Sequence, residues 1–268
     1  MPTVDDEECP HGLDRAWCSI CKAQAQKASG PAAGRSGPPA RPATGRRPSP
    51  RPSSPRPAAL EPTPARALAR LRPSLFHVTA LGAWPSIAEL GLRTAAQLAD
   101  LADQHPLTSI RADRLDLVEG DGAWLIRLRD QRPMLRAQIE SHLDGVTLQQ
   151  WLDLVNSRVY FCARQKDLTT LLMRYQNEGQ DLVVFDTAKL LAAAAERVEV
   201  TAVSSGSPVA WGGCPCRGRD TFIPLPSFPG AAADIEEVTV LDGLASVDRL
   251  VTRVVRYHPD RSSEVLVD

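Results

Sequence analysis

Four soft metal ligands fall close together near the N-terminus: Cys9, His11, Cys18 and Cys21, spaced Cys-x-His-x6-Cys-x2-Cys. Zinc takes four nitrogen or sulfur donors in a tetrahedron, and a Cys-x2-Cys bend supplies two of them from one short turn. Gly12 frees the chain to fold back after His11, and Trp17 can pack beside the metal. The single residue between Cys9 and His11 is tighter than common zinc spacings. The competing reading is a tail with incidental cysteines, but too little apolar sequence surrounds them to make them core. Such a knuckle would grip a nucleic acid or a partner protein, and the spacing does not choose between them. Farther on, Cys214-Pro-Cys216 stands beside Arg217 and Arg219; it reads as a mobile loop ahead of a second metal site. No dinucleotide-binding Gly-x-Gly-x-x-Gly, Walker loop, His-Glu-x-x-His or Gly-x-Ser-x-Gly occurs. Of five histidines, only His77 sits in an apolar, strand-like setting, where composition alone makes it an ordinary structural residue.

The elements that must hold such groups begin only after a long spacer. From about Gly30 to Pro64 the chain is almost wholly Pro, Arg, Ala, Ser, Gly and Thr. Ordering that backbone would not be offset by burial, so residues 25–66 read as a disordered, basic, polyproline-like linker. The expected organisation is a Cys/His motif over 1–24, the linker over 25–66, and one globular domain over 67–268. The net charge of −1 hides this basic stretch between more acidic ends. No run nears the roughly 18 apolar residues needed to span a bilayer. The start, Met1-Pro-Thr-Val-Asp-Asp-Glu-Glu8, lacks the basic and apolar regions of a signal peptide. The expectation is a cytoplasmic protein with no membrane contact.

In the globular part, order should resume near Ala67. Strands are predicted at Leu75–Thr79, Trp124–Arg129, Arg158–Cys162, Asp181–Asp186, Val198–Val203, Val238–Leu241 and Val251–Tyr257. Helices are predicted at Trp84–Leu90 with Gly91 as the stop, Thr94–Asp103, Pro133–Leu143, Thr147–Asn156 capped by Thr147, Lys166–Tyr175 and Thr187–Glu196. A Gly/Pro/Cys-rich loop covers 204–218, and a short helix is placed between the last two strands. Strands and short helices alternate without regular βαβ spacing, which indicates α+β architecture.

Within this order, Phe76-His77-Val78-Thr79, then Trp84-Pro85-Ser86-Ile87 and Gly91-Leu92, resembles the opening of the DarT-like ADP-ribosyltransferases. Those enzymes start with a His-x-Thr strand and a helix running from Asn-Leu-Pro-Ser-Ile to Gly-Leu; here Ala83 or Trp84 replaces the Asn. Asn156-Ser-Arg-Val-Tyr160-Phe161 resembles their next core strand, and Ile235-Glu236-Glu237-Val238-Thr239-Val240 their strand with the catalytic glutamate. The resemblance spans about residues 75–250. It is closest to a bacterial family of uncharacterised DarT-related domains, marked also by Arg129-Asp130-Gln131-Arg132-Pro133.

The resemblance implies an ADP-ribosyltransferase-like split β core that uses NAD as substrate. Glu237 would be the catalytic carboxylate, with Glu236 as fallback. Arg132, with Arg129 second, would bind the pyrophosphate through its planar fork. His77, Thr79 and Asn156 would bind the remainder of NAD, Tyr160 or Phe161 would stack on nicotinamide, and the Leu168–Met173 helix would cover the ligand. Each residue has a plainer reading: strand edge for Glu236 and Glu237, a salt bridge to Asp130 for Arg129 and Arg132, core for Tyr160 and Phe161.

The leading function is therefore an NAD-dependent ADP-ribosyltransferase acting in a toxin or phage-defence role. It would modify nucleic acid, single-stranded DNA among the candidates, with the basic linker attracting phosphates and an antitoxin as a protein partner. The alternatives are a non-catalytic binding module recruited through its zinc knuckle, and an NAD glycohydrolase. Acceptor and oligomeric state stay open.

Overall fold

The computed structural model describes residues 63–101, 107, 110, 111, 113–118, 125–131, 139–205 and 216–268. Cys9, His11, Cys18 and Cys21, the linker up to residue 62, Trp124, Arg132, most of the expected Pro133–Leu143 helix, and Cys214 lie outside them. The chain divides into Met1–Leu60 and Glu61–Asp268, and the fold described is that of the second unit.

Order begins earlier than the sequence suggests. Helix α1 (Pro64–Leu71) starts on Pro64, which needs no amide partner in a first turn, with the Thr63 hydroxyl accepting from the Arg66 amide. Strand β1 (Ser74–Ala80), α2 (Trp84–Leu90) and α3 (Ala95–Leu101) follow. Thr94 and Gln97 cap α3 reciprocally, the Gln97 amide donating to Thr94 Oγ1 (3.2 Å) and the Thr94 amide to Gln97 Oε1 (3.0 Å). Strands β2 (Leu115–Val118) and β3 (Leu125–Leu128) pair as an antiparallel ribbon. Next come α4 (Leu148–Asn156), β4 (Arg158–Cys162), α5 (Gln165–Arg174), β5 (Gln180–Asp186) and α6 (Thr187–Ala193). The Thr147–Gln150 capping box opens α4 as expected. The remainder is β6 (Val198–Thr201), β7 (Ile223–Pro224), β8 (Glu237–Leu241), β9 (Val251–Tyr257) and β10 (Ser263–Val267).

The architecture is α+β. Eight strands form one sheet in the order β10-β9-β5-β1-β4-β8-β6-β7, with every neighbouring pair antiparallel. Strands β2 and β10 carry no strong sequence signal and were not expected. The short helix expected between β8 and β9 is absent; residues 248–250 form a turn in which Arg249 takes φ +63°.

One sheet face is the main core. Leu75, Phe161, Val183, Phe185, Val238 and Val240 meet there under α1 and α6, each withdrawn side chain contributing roughly 1.5–3 kcal/mol. A second cluster on the other side joins Trp151, Leu152 and Val155 of α4 to Phe222.

The sheet is weakest in its middle. β1 pairs with β5 over seven residues, from Ser74↔Asp186 to Ala80↔Gln180. With β4 it shares one pair, Phe76↔Cys162, and beyond that the two strands diverge. Near this gap, fully buried Asp181 on β5 takes a two-pronged bond from Arg256 of β9 (2.8 and 3.0 Å) and the Trp84 amide (3.0 Å). That carboxylate fixes the start of α2 against the sheet.

Candidate functional site

The divergence of β1 from β4 opens a cleft of about 800 Å3. Its walls come from β1, α2, the β2–β3 ribbon, β4, α5 and the start of β8. His77, Thr79, Arg129, Asn156, Tyr160, Phe161, Glu236 and Glu237 all border it, with His77 and Thr79 on one sheet face and Glu237, in register with Cys162 and so with Phe76, on the other. Arg132 lies outside the described residues, and Arg111 stands in the wall instead.

The registers His77↔Val183 and Thr79↔Asp181 place the two β1 side chains on one face, as their spacing predicts. Both line the cleft. Across it, His77 Nδ1 donates to the Tyr160 carbonyl oxygen at 2.9 Å. A carbonyl can only accept, so the proton sits on Nδ1 and Nε2 remains an acceptor. Burial pushes His77 down to about 4 against the opposing pull of that carbonyl, with the nearby Arg129 charge lowering it further. The ring is therefore neutral at physiological pH. Phe161 supports it from below at 5.9 Å and meets Phe185 edge-on at 5.2 Å.

Phe161 is 1% exposed, and its two ring contacts are to His77 and Phe185. Tyr160 points to the opposite face. Its hydroxyl donates to the Val155 carbonyl at 3.1 Å, and its ring meets Phe222 edge-on.

Arg129 bridges β1 and α5. Its Nη2 donates to the Thr79 carbonyl, and its guanidinium lies 4.4 Å above the Tyr175 ring. The Tyr175 hydroxyl in turn donates to Asp130 at 3.2 Å. Asn156, at the end of α4, accepts at Oδ1 from Arg111 Nη1 (3.2 Å) and Gln131 Nε2 (3.4 Å), while Arg111 Nε donates to the Arg129 carbonyl at 3.0 Å. Arg129 Nη1 and Asn156 Nδ2 are buried donors with no partner among the described residues. Two orphan donors beside two arginines suit a ligand rich in acceptors. Burial lowers both arginines from their ordinary value.

Glu237 opens β8 opposite Cys162 of β4 and Thr201 of β6. Burial raises its carboxyl above the usual range, and the hydroxyl and amide of Ser205 oppose the rise, the amide donating at 3.1 Å. Glu236, one residue earlier, is ion-paired to Arg164, which also holds Asp167. The Cys162 thiol between these groups is pushed up to about 12 by burial and the Glu237 charge, so it is not a nucleophile at neutral pH.

Chemically, the cleft holds a neutral imidazole, a carboxyl of raised proton affinity and the part-buried guanidinium groups of Arg111 and Arg129. Arg111, Arg164 and Ser205 carried no sequence signal, since each sits in the site through tertiary contacts alone, and Tyr175 read only as the end of an amphipathic helix. Among the described residues no group of three or more His, Cys, Asp or Glu side chains could hold a metal, and no helix is long and apolar enough to cross a membrane.

Residues 73–251 match the model of the family of unknown function DUF7002. The chain belongs to this family. Every DUF7002 cleft residue named above lies inside the matched span. Among curated proteins and among solved structures, nothing matches this DUF7002 member.

Proposed function

We propose that the cleft binds NAD and that the chain is an ADP-ribosyltransferase built on a split, fully antiparallel core. The observation that carries this reading is the convergence of His77, Thr79, Asn156, Arg129 and Glu237 on one cavity at the β1–β4 divergence. Arg129 and Arg111, with the orphan Asn156 Nδ2, offer the donors that a pyrophosphate requires. Neutral His77 offers Nε2 to a ribose hydroxyl. Tyr160 and Tyr175 supply apolar wall. Arg132 remains a candidate for the same phosphates.

In the proposed reaction the bond between ribose C1′ and the nicotinamide nitrogen breaks, and its electron pair leaves with neutral nicotinamide. The positive charge left on the ribose develops beside Glu237, as in glycoside cleavage. An acceptor nucleophile attacks C1′ and loses its proton to the Glu237 carboxylate, whose raised proton affinity suits it as a base. The acceptor is nucleic acid, drawn in by the arginine-rich linker, in a toxin or phage-defence setting. The Cys9, His11, Cys18 and Cys21 knuckle, holding structural zinc, delivers the domain to its target.

Incubating the full chain with labelled NAD and single-stranded DNA, RNA or cell protein tests this. Nicotinamide release with label on a macromolecule is the expected result. Release with free ADP-ribose alone identifies a glycohydrolase, and no release identifies a non-catalytic module; either outcome overturns the transferase reading.

A further inference from the structure

Arg217 is among the largest side chains removed from water in this protein, 2% exposed, although its sequence setting beside Cys214-Pro-Cys216 reads as a mobile loop. Both Nε (3.1 Å) and Nη2 (2.8 Å) converge on the carbonyl oxygen of Ser204. Burying a guanidinium costs several kcal/mol unless its geometry is well satisfied, so a fork closed on one carbonyl is a firm restraint on that carbonyl. The next residue, Ser205, is 3% exposed and is the one that donates to Glu237.

The base of the arginine is equally fixed. The Arg217 amide donates to the His142 carbonyl at 2.7 Å, and its carbonyl accepts from the Asp144 amide at 2.8 Å. Gly218 follows so closely that a Cβ there would lie 2.5 Å from the Asp144 carbonyl oxygen. The segment is thus anchored just ahead of α4, and its side chain reaches across to the turn leaving β6. At the other end of that turn, the Glu236 amide donates to the Thr201 carbonyl at 2.8 Å, and Thr201 pairs with Glu237.

We propose that Arg217 is a positioning residue for Glu237, acting through the Ser204–Ser205 turn. Resting on the proposed role of Glu237 as the carboxylate beside the reacting ribose, it deepens that reading: the clamp holds the Ser205 amide on Oε2 of that carboxyl. The charged and titratable groups facing Glu237 are Glu236 beside it, Cys162 and Tyr160 of β4, and Arg217 itself. Arg217 therefore acts on Glu237 both as a distant charge and through the turn, and a substitution that keeps the charge separates the two.

The test is Arg217→Lys in the full chain, read by isotope-edited infrared titration of the Glu237 carboxyl, which needs no turnover. Lysine keeps the charge and cannot close the fork. The expected result is an upward shift of the Glu237 titration in a protein whose unfolding midpoint confirms folding, with a roughly tenfold loss of kcat and an unchanged KM for NAD. A folded Arg217→Lys protein with the wild-type titration overturns the inference, even where NAD turnover is observed. A shifted titration without any NAD turnover in the wild type keeps the positioning and removes the transferase reading. Should Arg217→Lys fail to fold, Ser205→Ala carries the test with the clamp left in place: an unmoved Glu237 titration there also overturns the inference.

Discussion

His77 Nδ1 and the Tyr160 carbonyl oxygen lie 2.9 Å apart across the gap where β1 and β4 share a single residue pair. The side chain of one strand there takes up the main-chain acceptor of the next. The contact fixes the imidazole tautomer and ties the two halves of the sheet beside the cleft.

A proton resonance at Nδ1 that persists from pH 8 down to about 5 is the expected signature, since burial holds His77 near 4. Its folded value lies below the unfolded one, so between these limits the unfolded chain binds more protons. The stabilisation is therefore present above the unfolded value and lost as pH falls toward about 4. Urea midpoints measured at pH 7 and pH 5 for wild type and His77→Gln check this; an equal pH slope in both proteins contradicts it. His77→Ala should cost roughly 1–2 kcal/mol, the worth of one buried hydrogen bond and its packing.

Glu237→Gln should separate activity from stability. On the proposed reading it lowers NAD turnover by about 10² or more. Because the folded carboxyl is raised, the wild type loses stability as pH climbs through its folded value, and the amide does not. The variant should thus melt above the wild type at alkaline pH and match it in mild acid. Differential scanning at pH 5 and 8 reads this, and a variant that melts lower at both values refutes the assignment.

Arg129→Lys tests the cationic wall. A lysine keeps the charge but loses both the planar contact with Tyr175 and the fork reaching the Thr79 carbonyl. NAD affinity is expected to fall about tenfold, near 1.4 kcal/mol, with a stability loss of similar size. Calorimetric titration of a non-hydrolysable NAD analogue measures the first, and an unchanged affinity would remove Arg129 from the ligand site.

The N-terminal knuckle is checked by native mass spectrometry of the full chain. One zinc ion retained at neutral pH, and lost on substituting Cys18 and Cys21 together by Ser, is expected. A chain that holds no metal at neutral pH ends the zinc proposal.

Much of the fold was legible where a local pattern coincided with a tertiary need. Trp84–Leu90, Arg158–Cys162 and Val251–Tyr257 form as read, because Pro85, Gly91 and β-branched runs mark their ends or bodies. β10 and β2 escaped notice: Ser263–Val267 is exposed along most of its length, and Leu115–Val118 has only a short ribbon partner. In the site, His77, Thr79 and Glu237 were visible because they lie on strands with recognisable neighbours. Arg111 was not, and Arg217 read only as part of a mobile loop, since an arginine in a loop becomes informative only when the folded chain supplies a carbonyl or amide for its fork.

The strand order carries a cost during synthesis. Among the described strands of the large sheet, only β1–β4, β6–β7 and β9–β10 follow one another in sequence and also lie side by side, and the first of these shares a single residue pair. β1 leaves the ribosome with Leu75, Phe76 and Val78 exposed and waits for β4 and β5 before either of its edges is covered. Folding should therefore be slow and dominated by long loop closures, and nascent chains halted before β5 should be clients of chaperones or aggregate.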